Sequence, residues 1–261
     1  MNIVFSDLDG TLLDHDTYSF QDASNAIDIL KTHNIPLILC TSKTRAEIEY
    51  FKNKLGNNHP FISENGGAIF IPKEYFSTQF LFQKNTKNYY VIELGTSYRT
   101  LRKYIKILKG KYDIKSFADM SVKKVAEETN LDLKKASLAK NRDYSIPFKI
   151  LKNEQTEDIL KEIANYELQV TRGGRYYHLI GTNSKGSAVK ILSYIFKKEF
   201  DEPFKSIGIG DSENDFPMLD VVDIPYLVMK PDNTYASSEY FHANGIGPVG
   251  WKKVIEREVS H

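Results

Sequence analysis

A chain of 261 residues with 41% hydrophobic and 26% charged residues can bury one substantial core and a second, smaller unit, and it carries no low-complexity or short-period tract. Net charge is +1, but residues 83–182 hold 20 Lys and Arg against 12 Asp and Glu, a balance of +8 that leaves −7 for the remainder. A basic middle inside an acidic frame suits an anionic small molecule met by one part and a cation held by the other, and it lacks the aromatic-basic interleaving of nucleic-acid readers. The amino terminus has neither the basic start nor the apolar stretch of a signal peptide. No window approaches about 18 uninterrupted apolar residues, so the expected location is cytoplasmic, without a membrane partner. The single cysteine, Cys40, lies in the run Ile-Pro-Leu-Ile-Leu-Cys and is expected in the core.

In chain order, Asn2 to Ser6 is a short apolar strand that runs into Asp7-Leu8-Asp9-Gly10-Thr11. Ala23, Ala26, Ile27 and Leu30 recur at helical spacing, and Ile35 to Cys40 is again a buried strand, ending in Thr41-Ser42-Lys43. Thr44 to Leu55 is helical, with Ser42 a candidate for its cap, Phe61-Ile62 is a strand, and Glu64-Asn65-Gly66-Gly67 turns into a strand stopped by Pro72. From Tyr89 the pattern changes. A strand there is followed by helices over 97–109 and 131–140 and short strands at 148–151, 168–171 and 176–180, with a turn at Gly173-Gly174. Strand-helix alternation returns with a helix over 185–196, a strand at 206–209, a helical stretch at 216–221 and a strand at 226–229. This is an α/β protein: a parallel-sheet core from 1–82 and 183–261, interrupted by an α+β unit over 83–182.

Asp7 and Asp9 lie where ligands bind in open α/β sheets, outside the carboxyl ends of the strands. A carboxylate can attack a phosphate monoester only if a divalent cation offsets their repulsion. With Asp7 as nucleophile, Asp9 is placed to protonate the leaving oxygen and later to take a proton from water. Thr41 or Ser42 could donate to a phosphate oxygen. Lys185 opens a helix, where the dipole does not favour a cation, so a functional charge explains it better than solubility. Gly210-Asp211-Ser212-Glu213-Asn214-Asp215 crowds carboxylates into one turn, which makes Asp211 a further metal ligand, with Asp215 and Asn214 ligating or orienting it.

The order and spacing of Asp7-x-Asp9-x-Thr11, Thr41, Lys185 and Gly210-Asp211-Ser212-Glu213-Asn214-Asp215 resemble the haloacid dehalogenase superfamily. The resemblance spans the core and implies a Rossmann-like sheet, bound Mg²⁺, an aspartyl-phosphate on Asp7, and the Asp9 carbonyl as a metal ligand. The insertion looks like the α/β cap of the sugar-phosphatase subgroup, which implies a phosphorylated sugar-acid substrate. Within that subgroup the segments around Ser42-Lys43, Asn65 and Arg172-Gly173-Gly174-Arg175 are similar to stretches that contact substrate. Arg172 and Arg175, one on each side of the glycines, could clamp a carboxylate, whereas His178, flanked by apolar residues, reads as a packed side chain.

Overall fold

The computed structural model describes residues 2–173 and 175–259. The large sheet forms from β1 (Asn2–Ser6), β2 (Leu37–Cys40), β3 (Phe61–Ser63), β4 (Ala68–Pro72), β5 (Lys84–Asn85) and β6 (Tyr89–Glu93), with three later strands described below. Helices α1 (Ser24–Thr32) and α2 (Arg45–Leu55) are the crossovers between the first parallel strands. Beyond β6 come α3 (Tyr98–Lys111), β7 (Ile114–Ser116), α4 (Val122–Thr129), α5 (Leu133–Lys140), β8 (Ile146–Ile150), α6 (Thr156–Asn165), β9 (Gln169–Gly173) and β10 (Tyr176–Ile180). The chain then returns through α7 (Lys185–Phe200), β11 (Lys205–Gly210), α8 (Phe216–Leu219), β12 (Ile224–Met229), β13 (Phe241–Ile246) and α9 (Pro248–Val259).

Nine strands make the large sheet, in the order β13-β12-β11-β1-β2-β3-β4-β6-β5. The six from β13 to β3 are parallel, and β4, β6 and β5 add an antiparallel edge. Strand residues alternate between two apolar layers: Val4, Leu37 and Leu39 pack with α1, α2 and α9, while Ile3, Phe5, Ile38 and Cys40 pack with α7 and α8. Cys40 is free and buried, as expected from its apolar run. The chain leaves β1 toward β2 on one side and comes back beside β1 as β11 on the other. That reversal of strand order puts a crevice at the carboxyl ends of β1, β2 and β11.

A separate antiparallel sheet, β7-β8-β10-β9, carries α3 and α6 on one face over a core of Leu101, Ile105, Phe148, Ile159, Ile163 and Leu179. The basic composition of this unit is concentrated in α3, whose fourteen residues hold six Lys or Arg and no acid. Three differences from the sequence pattern stand out. The strands at 84–85 and 89–93 hydrogen-bond to the large sheet, so the insertion begins after Glu93 and not at 83. Helices α4 and α6 and the terminal pair β13 and α9 have no counterpart in the expected elements. Gly173 ends β9 paired with Tyr176, which moves the hairpin loop one residue beyond the expected Gly173-Gly174 turn; Gly174 lies outside the described residues.

The two segments that join the insertion to the large sheet, 94–97 and 181–184, run side by side. Leu94 and Gly95 donate to the Gly67 carbonyl, and a Cβ on Gly181 would stand 2.4 Å from Thr96 Oγ1. No helix among the described residues is long and apolar enough to cross a membrane.

Candidate active site

Asp7 follows strand β1 directly, and its backbone N–H donates to the Ile209 carbonyl at 3.0 Å and ties the first loop to the end of β11. Asp7 is 4% exposed, and its Oδ1 accepts from Lys185 Nζ at 2.7 Å. Lys185, the first residue of α7 after the cap Ser184, is fully buried and also donates to Asp215 Oδ1 at 2.5 Å. Asp215 accepts the backbone N–H groups of Asp211 and Ser212 on its other oxygen, at 3.0 and 3.2 Å. One oxygen from each of Asp7, Asp211 and Asp215 lies within 4.8 Å of the others.

Charge decides what this cluster wants. Burial raises the Asp7 carboxyl above its usual range, Lys185 opposes the rise, and Asp215 adds to it. Asp211 is raised well above the usual range by burial and by the neighbouring Asp215 and Asp7. Burial works against the Lys185 ammonium too, but Asp215 and Asp7 outweigh it and hold the group above its ordinary value. Three carboxylates thus share one ammonium, and a hard divalent cation is the ligand that an all-oxygen donor set of this kind fits. Gly10 closes the first loop at φ +71°, where a Cβ would stand 3.0 Å from Asp211 Oδ2, and Thr11 Oγ1 donates to Asp211 Oδ1 at 3.4 Å.

The Asp9 carboxylate, read from the sequence as the acid and base, stands apart from the other three. Its Oδ2 pairs with Lys43 Nζ at 2.9 Å, outside the Asp7–Asp211–Asp215 cluster, and its Oδ1 is buried without a partner among the described residues. Lys43 is itself buried against Glu47 at 3.6 Å and over the Tyr18 ring at 5.2 Å. Burial disfavours its charge, but Asp9 and Glu47 prevail and hold the ammonium above the usual lysine range.

These side chains open onto a cleft of about 530 Å³ between the two sheets. Asp7, Asp9, Ser42, Lys43, Asp211 and Asn214 line it from the large-sheet side, and Gly173, Arg175, Tyr176 and His178 from the insertion. Thr41 lies at the end of β2, fully buried, with its Oγ1 accepting from the Lys43 N–H at 3.4 Å; it is not itself a wall of the cleft. Asn65, held at φ +57°, accepts from Asn214 Nδ2 at 3.4 Å and so braces that wall from behind. The cap of α2 is Thr44 rather than Ser42: Thr44 Oγ1 accepts from the Glu47 N–H and the Glu47 carboxylate accepts from the Thr44 N–H. Ser42 keeps its side chain toward the cleft, and its carbonyl accepts from Arg142 Nη1 at 3.1 Å.

The expected Arg172–Arg175 clamp does not form. Arg172 pairs with Tyr177 across the hairpin and stacks on that ring at 5.4 Å, on the sheet face opposite to Gly173, while Arg175 reaches the cleft. His178, read from the sequence as a packed residue, is buried but forms part of the cleft wall. Arg142 and Glu64 carry no signal in the sequence pattern. Arg142, half-buried with its side chain 7% exposed, lines the cleft, and Glu64 accepts from the Asp143 and Tyr144 N–H groups and from Ser145 Oγ, fastening the insertion to the loop after β3. His15, Asp16 and Tyr18 complete the rim from the loop between β1 and α1, which the sequence pattern did not single out.

A parallel sheet that gathers carboxylates and a buried lysine at its switch point, beneath an α+β insertion, defines a capped, Rossmann-like α/β protein with an acidic site suited to a divalent cation. Residues 4–233 match the family model described as haloacid dehalogenase-like hydrolase, and the chain belongs to that family. A protein of Methanococcoides burtonii named glucosyl-3-phosphoglycerate/mannosyl-3-phosphoglycerate phosphatase is 48% identical, covering 97% of this chain and 96% of that one. A protein of the same name from Persephonella marina is 42% identical over 98% of this chain and 96% of its own length. Among solved structures, a haloalkanoate-superfamily phosphatase from Bacteroides thetaiotaomicron superposes with a TM-score of 0.69 at 13% identity, covering 100% of this chain and 95% of that one. Family membership and these relatives support phosphatase activity.

Proposed function

We propose that the chain is a Mg²⁺-dependent phosphatase that converts mannosyl-3-phosphoglycerate, and its glucosyl epimer, to the glycosylglycerate and orthophosphate. The observation that carries this reading is the buried Asp7, fixed by Lys185 within 4.8 Å of the carboxylate oxygens of Asp211 and Asp215. The mannosyl product, mannosylglycerate, is a compatible solute. The two relatives described above carry both epimers in their names, which is why both substrates enter the proposal. A buried free cysteine suits a reducing, cytoplasmic setting.

Asp7, Asp211 and Asp215 would hold the Mg²⁺, with the Asp9 carbonyl as a further ligand. When bound, Mg²⁺ offsets the repulsion between the phosphate dianion and the carboxylates. Lys185 holds Asp7 in place and offers its charge to a phosphate oxygen, while Thr41, behind the cleft wall, braces the Ser42-Lys43 loop through the Lys43 N–H. The Asp7 carboxylate attacks phosphorus, and the ester oxygen leaves as an alcohol with the proton of Asp9. Water then attacks the aspartyl-phosphate, Asp9 takes its proton, orthophosphate departs and Asp7 is restored. In this reading the large-sheet unit performs the chemistry and the insertion chooses the leaving group. Arg175, Ser42, Lys43, Gly173 and Asn214 line the substrate pocket, and Asn65 holds Asn214 from behind.

A panel of phosphate esters at fixed enzyme and Mg²⁺ tests it. The glycosyl-3-phosphoglycerates are expected to lead by kcat/KM, with release of free phosphate and no isomerised phosphoester. A different sugar phosphate well ahead of both would overturn the substrate, and an isomerised phosphoester would make the protein a phosphomutase. Asp7→Asn, an amide with little nucleophilicity, should lose at least ~10³-fold in kcat on any ester.

A further inference from the structure

Alternate side chains of β10 lie on opposite faces of the small sheet. Tyr177 and Leu179 join the core beneath α3 and α6, whereas Tyr176 and His178 turn toward the cleft. Both are more than nine-tenths buried, at 8% and 6% exposure. Among the described residues neither the Tyr176 hydroxyl nor His178 Nδ1 has a partner in hydrogen-bond geometry, and the polar neighbour of Tyr176 is the Lys149 ammonium, 4.7 Å from its ring centre. Folded proteins pair nearly all of their buried polar atoms, so two unpaired groups on one wall of one cleft point to a partner that arrives from outside.

The chemistry of the two groups says what that partner is. Burial, with the Arg142 and Lys185 cations nearby, pushes the His178 imidazole down to about 3, so the ring is neutral near pH 7. A neutral imidazole carries one N–H and one lone pair, and a phenol likewise both donates and accepts. Hydroxyl groups match that pattern, whereas a carboxylate only accepts. Nothing on the described residues holds Nδ1 and fixes the tautomer. Nε2, on the side of Gly173 and Asn214, is therefore free to donate or to accept as the ligand requires.

We propose that Tyr176 and His178 are specificity-determining residues that hydrogen-bond the hydroxyls of a polyhydroxylated leaving group, while Arg175 at the end of the same hairpin meets anionic charge. This rests on the phosphatase reading of Asp7 above.

The test compares kcat/KM on a glycosyl-3-phosphoglycerate with that on p-nitrophenyl phosphate, whose leaving group has no hydroxyl beyond the one formed by cleavage. Tyr176→Phe and His178→Phe should lose about 10- to 100-fold on the glycosyl ester and stay within about twofold on p-nitrophenyl phosphate. His178→Gln, which keeps a donor and an acceptor, should recover most of the loss. Should His178→Phe melt well below the wild type, Tyr176→Phe carries the test, since it removes a single oxygen. Equal losses on both esters, or no loss on either, would overturn the proposal. A wild-type protein that hydrolyses neither ester would overturn the phosphatase reading itself. Brisk turnover of p-nitrophenyl phosphate, with Phe variants unchanged on the glycosyl ester, removes only the hydroxyl-reading role.

Discussion

Arg172 and Arg175 are chemically alike and three positions apart, yet strand register separates them. Arg172 stacks over Tyr177 on the helix-covered face, and Arg175 enters the cleft with its Nη2 3.4 Å from the Thr129 carbonyl. Arg175→Ala should raise KM for the carboxylate-bearing substrate by about tenfold, while Arg172→Ala should leave it within about twofold. Matching rises in steady-state assays would restore the paired clamp. The residues legible in the sequence share one property: Asp7, Thr41, Lys185 and Asp211 each stand beside a buried run or at a helix start, where local pattern alone gives their position. Arg142 and Glu64 were not legible because each owes its place to contacts between distant segments, Arg142 to the Ser42 carbonyl and Glu64 to residues 143–145. The side taken by Arg172 depends on hairpin register, which the glycine pair did not fix by itself.

Helix α2 shows how much a single cap can join. Thr44 Oγ1 accepts from the Glu47 N–H at 3.1 Å and donates to the Leu138 carbonyl of α5 at 2.9 Å, so one hydroxyl starts α2 and fastens it to the insertion. Thr44→Ala should cost about 1–2 kcal/mol in urea unfolding; an unchanged midpoint would show that neither bond matters. The spacing Thr44-x-x-Glu47 is a capping-box signal present in the sequence, and it outranks Ser42 because its Glu side chain answers the backbone of the cap. Central strands were legible because burial on both faces leaves unbroken apolar runs such as Leu37 to Cys40. Strand β6 was legible as a strand at most, and β5 not at all. Their partners are set by the fold, and β5 is exposed at both of its residues, Lys84 and Asn85. Helix α4 buries only Val125 fully, too little for its apolar spacing to stand out.

At the scale of the molecule, the carboxylate cluster couples metal, protons and stability. Asp7 and Asp211 bind protons more tightly in the folded chain than in the unfolded one. Without metal, their contribution therefore favours folding at low pH and is lost as pH rises from about 4 through their raised values. Mg²⁺ bound there would displace those protons, so it should bind more tightly as pH rises and add about 2.7 kcal/mol to stability at ~100 times its Kd. Thermal melts at two pH values, with Asp211→Asn as control, check this; an equal Mg²⁺ shift at both pH values and in the variant would place the cation elsewhere. The neighbouring strands that join the insertion to the large sheet have a different consequence. Because the chain departs and re-enters at touching positions, Thr96 and Gly181, the intervening 84 residues have the geometry of an exchangeable cassette. Grafting the corresponding stretch of a relative between those two points would swap the choice of ester while leaving the hydrolytic machinery untouched.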